Sequence, residues 1–321
     1  MTPSIPEIAV VIPTRFREAR LSFALDALAR QSVGPERFEI IVVRAPDAVG
    51  GRLTEAPPGL TVRFMTAPVA SPGVQRNVGW RSSSAPLIAF TDDDCRPAPE
   101  WLERMLEASS GPETVLQGRT EPDPAERHLW WGLARSWEIT EENEYYATCN
   151  IAYPRRLLEH LEGFDDRYPG KTAICGEDTD LGLRARELGA ELRYVDGALV
   201  WHAVLQRSLR AALREARRRD ATALVVKRHP AHRQALYKRY FVHPRHPAMV
   251  LALAGALALR RQPVLGAAMT VPYLHVTVGF GKQAPRRMLG ALARLPARAA
   301  VDLAEVLITA RSAIRNRVVL L

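Results

Sequence analysis

Short apolar runs alternating with helix-patterned segments are the strongest constraint on what the first two hundred residues can become. Residues 8–13 (IAVVIP) and 38–43 (FEIIVV) are apolar and largely β-branched, the pattern of strands buried on both faces. Residues 61–65 and 87–90 (LIAF) predict a third and a fourth strand. Within 21–31, Leu21, Leu25 and Leu28 recur at helical spacing, and 77–83 reads as the end of another helix. Such alternation predicts an α/β fold with a largely parallel sheet and helices on both faces. In sheets of this kind ligands sit beyond the carboxyl ends of the strands.

A chain of 321 residues has room for two units, or for one large α/β domain with an appendage. Apolar residues make up 47% and charged residues 25%, which excludes wholesale disorder and collagen-like repeats. Cys95, Cys149 and Cys175 form no CxxC pair, so no disulfide framework or thiolate zinc site is expected, and a reducing compartment is. The opening MTPSIPEIAVVIP lacks a basic segment followed by an apolar one, so no signal peptide is expected.

Charge divides the chain. Residues 203–321 hold 22 Lys and Arg against 4 Asp and Glu, a balance of +18, whereas residues 1–202 hold 22 against 31, a balance of −9. An acidic body with a basic tail predicts a polyanionic partner, membrane or nucleic acid. In the tail, Leu205, Leu209, Ala212 and Ala216 trace one face of a helix whose other face is basic. Two apolar stretches follow, 248–259 and 264–280, split by Arg260-Arg261-Gln262-Pro263. Both are shorter than the roughly 20 residues of a bilayer span. An interfacial or re-entrant hairpin flanked by cations is the reading preferred here, and a helical pair packed on the body is the alternative. Uninterrupted apolar stretches among the cations favour lipid, so no nucleic-acid partner is expected. The predicted division is 1–204 as the α/β domain and 205–321 as a basic helical, membrane-associating region.

Three motifs carry chemistry. Asp92-Asp93-Asp94 follows the fourth strand directly. Adjacent carboxylates repel one another unless a cation neutralises them, and Mn²⁺ or Mg²⁺ characteristically bridges such groups to substrate phosphates. A solvated acidic turn is the competing reading. Gly176-Glu177-Asp178-Thr179-Asp180 opens a predicted helix, where the dipole favours acids and where a general base for an acceptor hydroxyl could stand. Val200-Trp201-His202 supplies a candidate imidazole ligand.

The order of these elements resembles that of family-2 glycosyltransferases. The resemblance runs from about Ile8 to His202 through VVIPTRFR, FEIIVV, SPGVQRNVGWRSSSAPLIAFTDDDCRP, CNIAYPRR, EGFDDRY, GEDTDLGLR and VWH. It implies the GT-A fold, a Rossmann-like mixed sheet, here with a helical C-terminal extension. It also implies an inverting hexosyl transfer from a nucleotide-diphosphate sugar to a hydroxyl of a glycan or lipid-linked acceptor. Position by position, Pro13, Thr14, Arg15, Arg76, Asn77, Asp92 and Asp93 fall to the nucleotide sugar. Asp94, Asp92 and His202 fall to the metal, Mn²⁺ or Mg²⁺. Asp178 is the implied base, supported by Glu177, and Asn150 lines the acceptor side. Trp130 and Trp131, in the loop over 121–146, either stack on acceptor sugars or pack. One departure concerns the acidic residue that family members carry after the second strand to contact the base. Here the strand runs into Arg44, which has no acceptor atom, so base recognition differs or shifts to Asp47.

The expected setting is the cytoplasmic face of the plasma membrane, held peripherally or re-entrantly on anionic lipid, in cell-surface polysaccharide or glycolipid synthesis. Two rival readings are a sugar nucleotidyltransferase and a basic-tailed nucleic-acid-binding protein. The first usually carries a Gly-rich phosphate loop, and VVIPTRFREAR has no glycine.

Overall fold

A computed structural model describes residues 5–48, 56–111, 113–166, 175–279 and 285–320. Residues 1–4 of the opening segment, Arg167 and Tyr168 of EGFDDRY, and Phe280 lie outside them. The chain divides into two compact units. The first comprises Met1–Trp130, Arg135–Tyr168 and Glu177–Leu205; the second comprises Trp131–Ala134, Pro169–Gly176 and Gln206–Leu321.

The first unit is an eight-stranded sheet. Its strands are β1 (Ile8–Thr14), β2 (Phe38–Arg44), β3 (Val62–Thr66), β4 (Leu87–Thr91), β5 (Cys95–Pro97), β6 (Thr114–Pro122), β7 (Asn150–Pro154) and β8 (Glu191–His202), in the order β3-β2-β1-β4-β7-β6-β8-β5. The first four strands in that order run parallel, whereas β7 is antiparallel to both β4 and β6. The sheet is therefore mixed, where alternation alone predicted it largely parallel. A buried apolar run reads the same in either direction, and the connections decide which it takes. β8 is one continuous strand that ends on the Val200-Trp201-His202 motif.

Helices cover both faces of β1, β2 and β4. On one side α1 (Glu18–Leu28) sets Leu21, Leu25 and Leu28 against Ile8, Val10 and Ile12, and α3 (Trp101–Ala108) adds Trp101, Leu102 and Met105 to the same core. On the other side α2 (Pro72–Arg81) lies so close to the sheet that a Cβ on Gly79 would run into Val11. α4 (Arg155–His160) follows β7, and α5 (Glu177–Glu187) precedes β8.

The second unit is helical: α6 (Leu209–Glu215), α7 (Asp220–Arg228), α8 (Arg245–Ala258), α9 (Pro263–Val278) and α10 (Pro285–Asn316). Ser208 caps α6 by accepting from Ala211 N, which starts the helix after Leu205 rather than at it. Asp302 on α10 is fully buried and accepts from Tyr273 Oη at 2.9 Å and from Arg245 Nε at 3.1 Å, tying α8 and α9 to α10. Among the described residues no helix is long and apolar enough to cross a membrane.

Candidate active site

The carboxyl ends of three adjacent strands, β2, β1 and β4, form the floor of the site. Thr14 closes β1 and Thr91 closes β4, so Asp92, Asp93 and Asp94 lie just beyond the sheet. The three carboxylates then take different partners. Asp93 turns inward and is buried: Thr14 Oγ1 donates to its Oδ2 at 2.7 Å and Arg17 Nη1 to its Oδ1 at 3.1 Å. Burial pushes its carboxyl up to about 7, against the pull of Arg17. The sequence placed Asp93 with the nucleotide sugar; the structure packs it between β1 and Arg17 instead.

Asp94 keeps one oxygen for each of two neighbours. Arg17 Nη1 donates to Oδ2 at 2.7 Å, and Oδ1 lies 3.7 Å from Nε2 of His202. That approach is made by sheet pairing, because β5 and β8 set Cys95 opposite His202. His202 Nδ1 is 2.9 Å from the carbonyl oxygen of Ala203, a partner that only an N–H can satisfy. Nδ1 is thereby committed as a donor, and Nε2 is the ring nitrogen that faces Asp94. Asp94, Cys95 and His202 bring one ligand atom each within 4.8 Å of one another. Cys95 is fully buried, and burial pushes its thiol well above the usual range, so it stays a neutral thiol. A buried carboxylate and a buried imidazole nitrogen are a donor set that would suit a divalent cation, whose remaining positions a diphosphate could fill. The nitrogen ligand suits Mn²⁺ better than Mg²⁺. Asp92, also expected at the metal, is not in this cluster.

Asp92 belongs to a second group. Arg76 on α2 donates from Nη2 to Asp92 Oδ1 at 2.8 Å and from Nη1 to Glu177 Oε1 at 3.2 Å, with its guanidinium 5.7 Å from the centre of the Phe164 ring. Burial works to raise Asp92, and the Arg76 guanidinium outweighs it, holding the group below the usual carboxylate range. Arg76 thus bridges the acidic motif after β4 and the first turn of α5. Next to Glu177, Asp178 accepts from Thr179 N at 2.8 Å. Burial first, and the like charge of Glu177 second, push Asp178 up to about 7. Glu177 Oε2 and Arg76 Nε are buried without a hydrogen-bond partner, so the bridge retains polar capacity for a ligand.

Several expected ligands have structural work. Asn77 is buried; its Nδ2 donates to Phe164 O at 2.7 Å, and its Oδ1 accepts from Phe164 N and Trp80 Nε1, both at 2.9 Å. Asn150 is fully buried, accepting from Trp101 Nε1 at 2.8 Å and donating to Arg119 O at 2.7 Å and Ala198 O at 2.8 Å. Its amide is spent on holding β7 against β6, β8 and α3, so it is not open to an acceptor. Pro13 is buried inside β1, in register with Val43. Arg15 and Asp47 remain exposed at the strand ends and pair, Nε to Oδ1 at 3.2 Å. Arg44 lies over the Phe64 ring at 5.2 Å. Trp130 and Trp131 are exposed.

Sequence reasoning assigned no role to Arg17, although it stands in the quoted VVIPTRFR. It also missed a cleft of about 190 Å³ beside Asp94, lined by Arg20, Phe23, Arg96, Asp123 and Glu126. There Arg20 pairs with Glu126 and Arg96 with Asp123.

The family model described as Glycosyl transferase family 2 matches residues 9–161, which span β1 through α4 and contain the acidic motif and Arg76. This chain carries a family-2 glycosyl transferase domain. It is 27% identical over 230 residues to a validoxylamine A glucosyltransferase of Streptomyces hygroscopicus subsp. limoneus, covering 59% of this chain and 49% of that one. The glycosyltransferase AglE of Haloferax volcanii is 24% identical over 214 residues, 63% of this chain and 68% of its own. The chain spans about half the length of the first curated relatives it matches. Among solved structures it is similar to the mannosyltransferase PcManGT of Pyrobaculum calidifontis, in complex with GDP-Man and Mn²⁺. There the TM-score is 0.57 at 17% identity, covering 98% of this chain and 88% of that one. At that identity the likeness is one of fold, and the fold of the glycosyl transferase domain is GT-A.

Proposed function

We propose that the protein is an inverting, metal-dependent glycosyltransferase, moving a sugar from a nucleotide-diphosphate donor to a hydroxyl of a glycan or lipid-linked acceptor. The observation that carries this is the Arg76 bridge. It joins Asp92, two residues from the Asp94–His202 pair, to Glu177, the neighbour of Asp178. The segment that carries the metal pair and the helix turn that carries the candidate base are thereby tied together through one guanidinium.

In this reading Asp94 and His202 hold Mn²⁺ or Mg²⁺. The cation supplies charge neutralisation to the departing diphosphate. Arg15 and Asp47, at the ends of β1 and β2, receive the nucleotide. Asp178, whose carboxyl sits in a setting that raises its proton affinity, takes the proton from the acceptor hydroxyl as that oxygen attacks the anomeric carbon. The bond to the diphosphate breaks on the opposite face, so the configuration inverts without a covalent sugar–enzyme intermediate. Arg76 offsets the like charge of Glu177 beside the base. The family match supports a transferase over a nucleotidyltransferase. The +18 balance of residues 203–321 supports an anionic membrane surface as a further partner. In this reading the protein works at the cytoplasmic face of the plasma membrane, in polysaccharide or glycolipid synthesis.

The test is a panel of nucleotide sugars with Mn²⁺, read by thermal shift and then by product analysis. A donor that stabilises the protein, turns over only with metal and yields a product of inverted anomeric configuration supports the reading. Retained configuration, or full turnover in EDTA, overturns it.

A further inference from the structure

The helical unit carries a surface that the transfer chemistry does not use. Between positions 251 and 268 the only buried residues are Gly255 and Gly266. Around them α8 and α9 turn their large side chains outward: Leu257 is 83% exposed and Val264 84%, and Leu251, Leu253, Leu259 and Leu265 are exposed as well. The two helices meet through the glycines. A Cβ on Gly255 would stand 2.6 Å from the carbonyl oxygen of Gly266, and one on Gly266 2.7 Å from that of Gly255.

Helical pairs in water bury their leucines and expose polar residues. This pair does the reverse, with small residues inside and leucines outside. That is how helices pack in lipid, where hydrocarbon is as good a neighbour for leucine as another helix is. The surrounding charge fits the same partner. From Ala221 to Val301 there is no Asp or Glu against 13 Lys and Arg, two of which, Arg260 and Arg261, form the turn between the helices.

We infer that the α8–α9 hairpin docks on an anionic bilayer, with Leu257, Leu259, Val264 and Leu265 entering the boundary between headgroups and acyl chains. Its length and charge fix how it lies. At about 1.5 Å per residue the helices are roughly 21 and 24 Å long, short of a hydrocarbon core of about 30 Å. Inserted end-on, the hairpin would carry Arg260 and Arg261 deepest, the costliest place for a charge. It therefore lies along the interface, leucines sunk by about 5–10 Å and guanidiniums turned up to lipid phosphates. This rests on the membrane-surface reading above and is independent of the transfer chemistry.

The experiment uses the full chain and two vesicle preparations, phosphatidylcholine alone and phosphatidylcholine mixed with phosphatidylglycerol. The parent should sediment with the mixed vesicles. The double variant Leu257→Asp/Val264→Asp should bind them at least about tenfold more weakly, since it removes two apolar side chains and adds two anions. Arg260→Gln/Arg261→Gln should narrow the difference between the two preparations. Both pairs of sites are exposed, so melting should hold. Unchanged binding by the Asp variant overturns the inference. So does a parent that ignores vesicles but forms a dimer that the Asp variant splits, since a second copy then covers the leucines. Thermal shift with nucleotide sugars on the same samples reports on the active site separately.

Discussion

Nε2 of His202 faces Oδ1 of Asp94 across 3.7 Å, although the two residues belong to distant parts of the sequence. The pairing of β5 with β8 makes the approach, and the contact of Nδ1 with the Ala203 carbonyl turns Nε2 towards Asp94. If the pair holds the cation, His202→Ala should weaken Mn²⁺ binding by tenfold or more, on the order of what disturbed metal sites lose. Asp94→Ala should weaken it further. Titration calorimetry with Mn²⁺ measures both, and unchanged affinity in His202→Ala would remove the imidazole from the site.

Arg17 should act on the same affinity without being a ligand. It occupies Oδ2 of Asp94 at 2.7 Å and so turns Oδ1 towards His202. Hydrogen bonds that orient a ligating carboxylate are worth about 10–100-fold in metal affinity. Arg17→Ala should therefore lower Mn²⁺ binding, with Arg17→Lys recovering part of it. If Arg17→Ala instead binds metal more tightly, the guanidinium is a competing charge and its orienting role is excluded.

Asn150 makes a prediction of the opposite kind. Asn150→Ala would leave Trp101 Nε1 and the carbonyls of Arg119 and Ala198 without their buried partner. Each orphaned group costs about 1–3 kcal/mol, and the shared site makes the sum less than additive, so a loss of roughly 2–5 kcal/mol is expected. Urea unfolding measures it. Donor affinity of the folded fraction should stay near that of the parent.

Asn150 also marks the boundary of what was legible from residues alone. The strands that end at the site could be read because a buried strand is a continuous apolar run, and the acidic motif because three adjacent carboxylates are improbable without a reason. The resemblance placed Asn77 with the nucleotide sugar and Asn150 on the acceptor side, and residue type could not contradict it, because an amide that binds a substrate and one that ties backbone segments together have the same chemistry. Only the positions of Phe164, Trp101 and Ala198 separate the two. The partition of Asp92, Asp93 and Asp94 among Arg76, Thr14 and His202 was hidden for the same reason. Each partner comes from a different element, and spacing along the chain carries no trace of it.

Asp178 gives the sharpest test of the mechanism, because its roles as base and as helix cap move different quantities. As a base it must be unprotonated. With its carboxyl pushed up to about 7, the rate of transfer should rise with pH through that region and level off above it. Asp178→Asn keeps the shape and the hydrogen bond to Thr179 N but cannot take a proton. Turnover should fall by roughly 10²–10⁴-fold, the pH limb near neutrality should vanish, and donor affinity should stay close to that of the parent. Stability should move the other way. A carboxyl raised in the fold binds its proton more tightly there than in the unfolded chain, where its affinity is near the ordinary value of about 4. Its contribution is therefore neutral below that pH, becomes increasingly unfavourable as pH rises from about 4 towards 7, and stays at its most unfavourable above. Asp93, raised to about 7 as well, adds the same slope to the parent, so the comparison is between parent and variant at each pH. Asp178→Asn should melt no lower than the parent at acid pH and higher than it above neutrality. A group that only caps the helix predicts the reverse, a lower melting temperature with turnover of the folded fraction unchanged. Melting, donor affinity and turnover measured on one sample across pH decide between them, and near-parental turnover would transfer the role of base to Glu177.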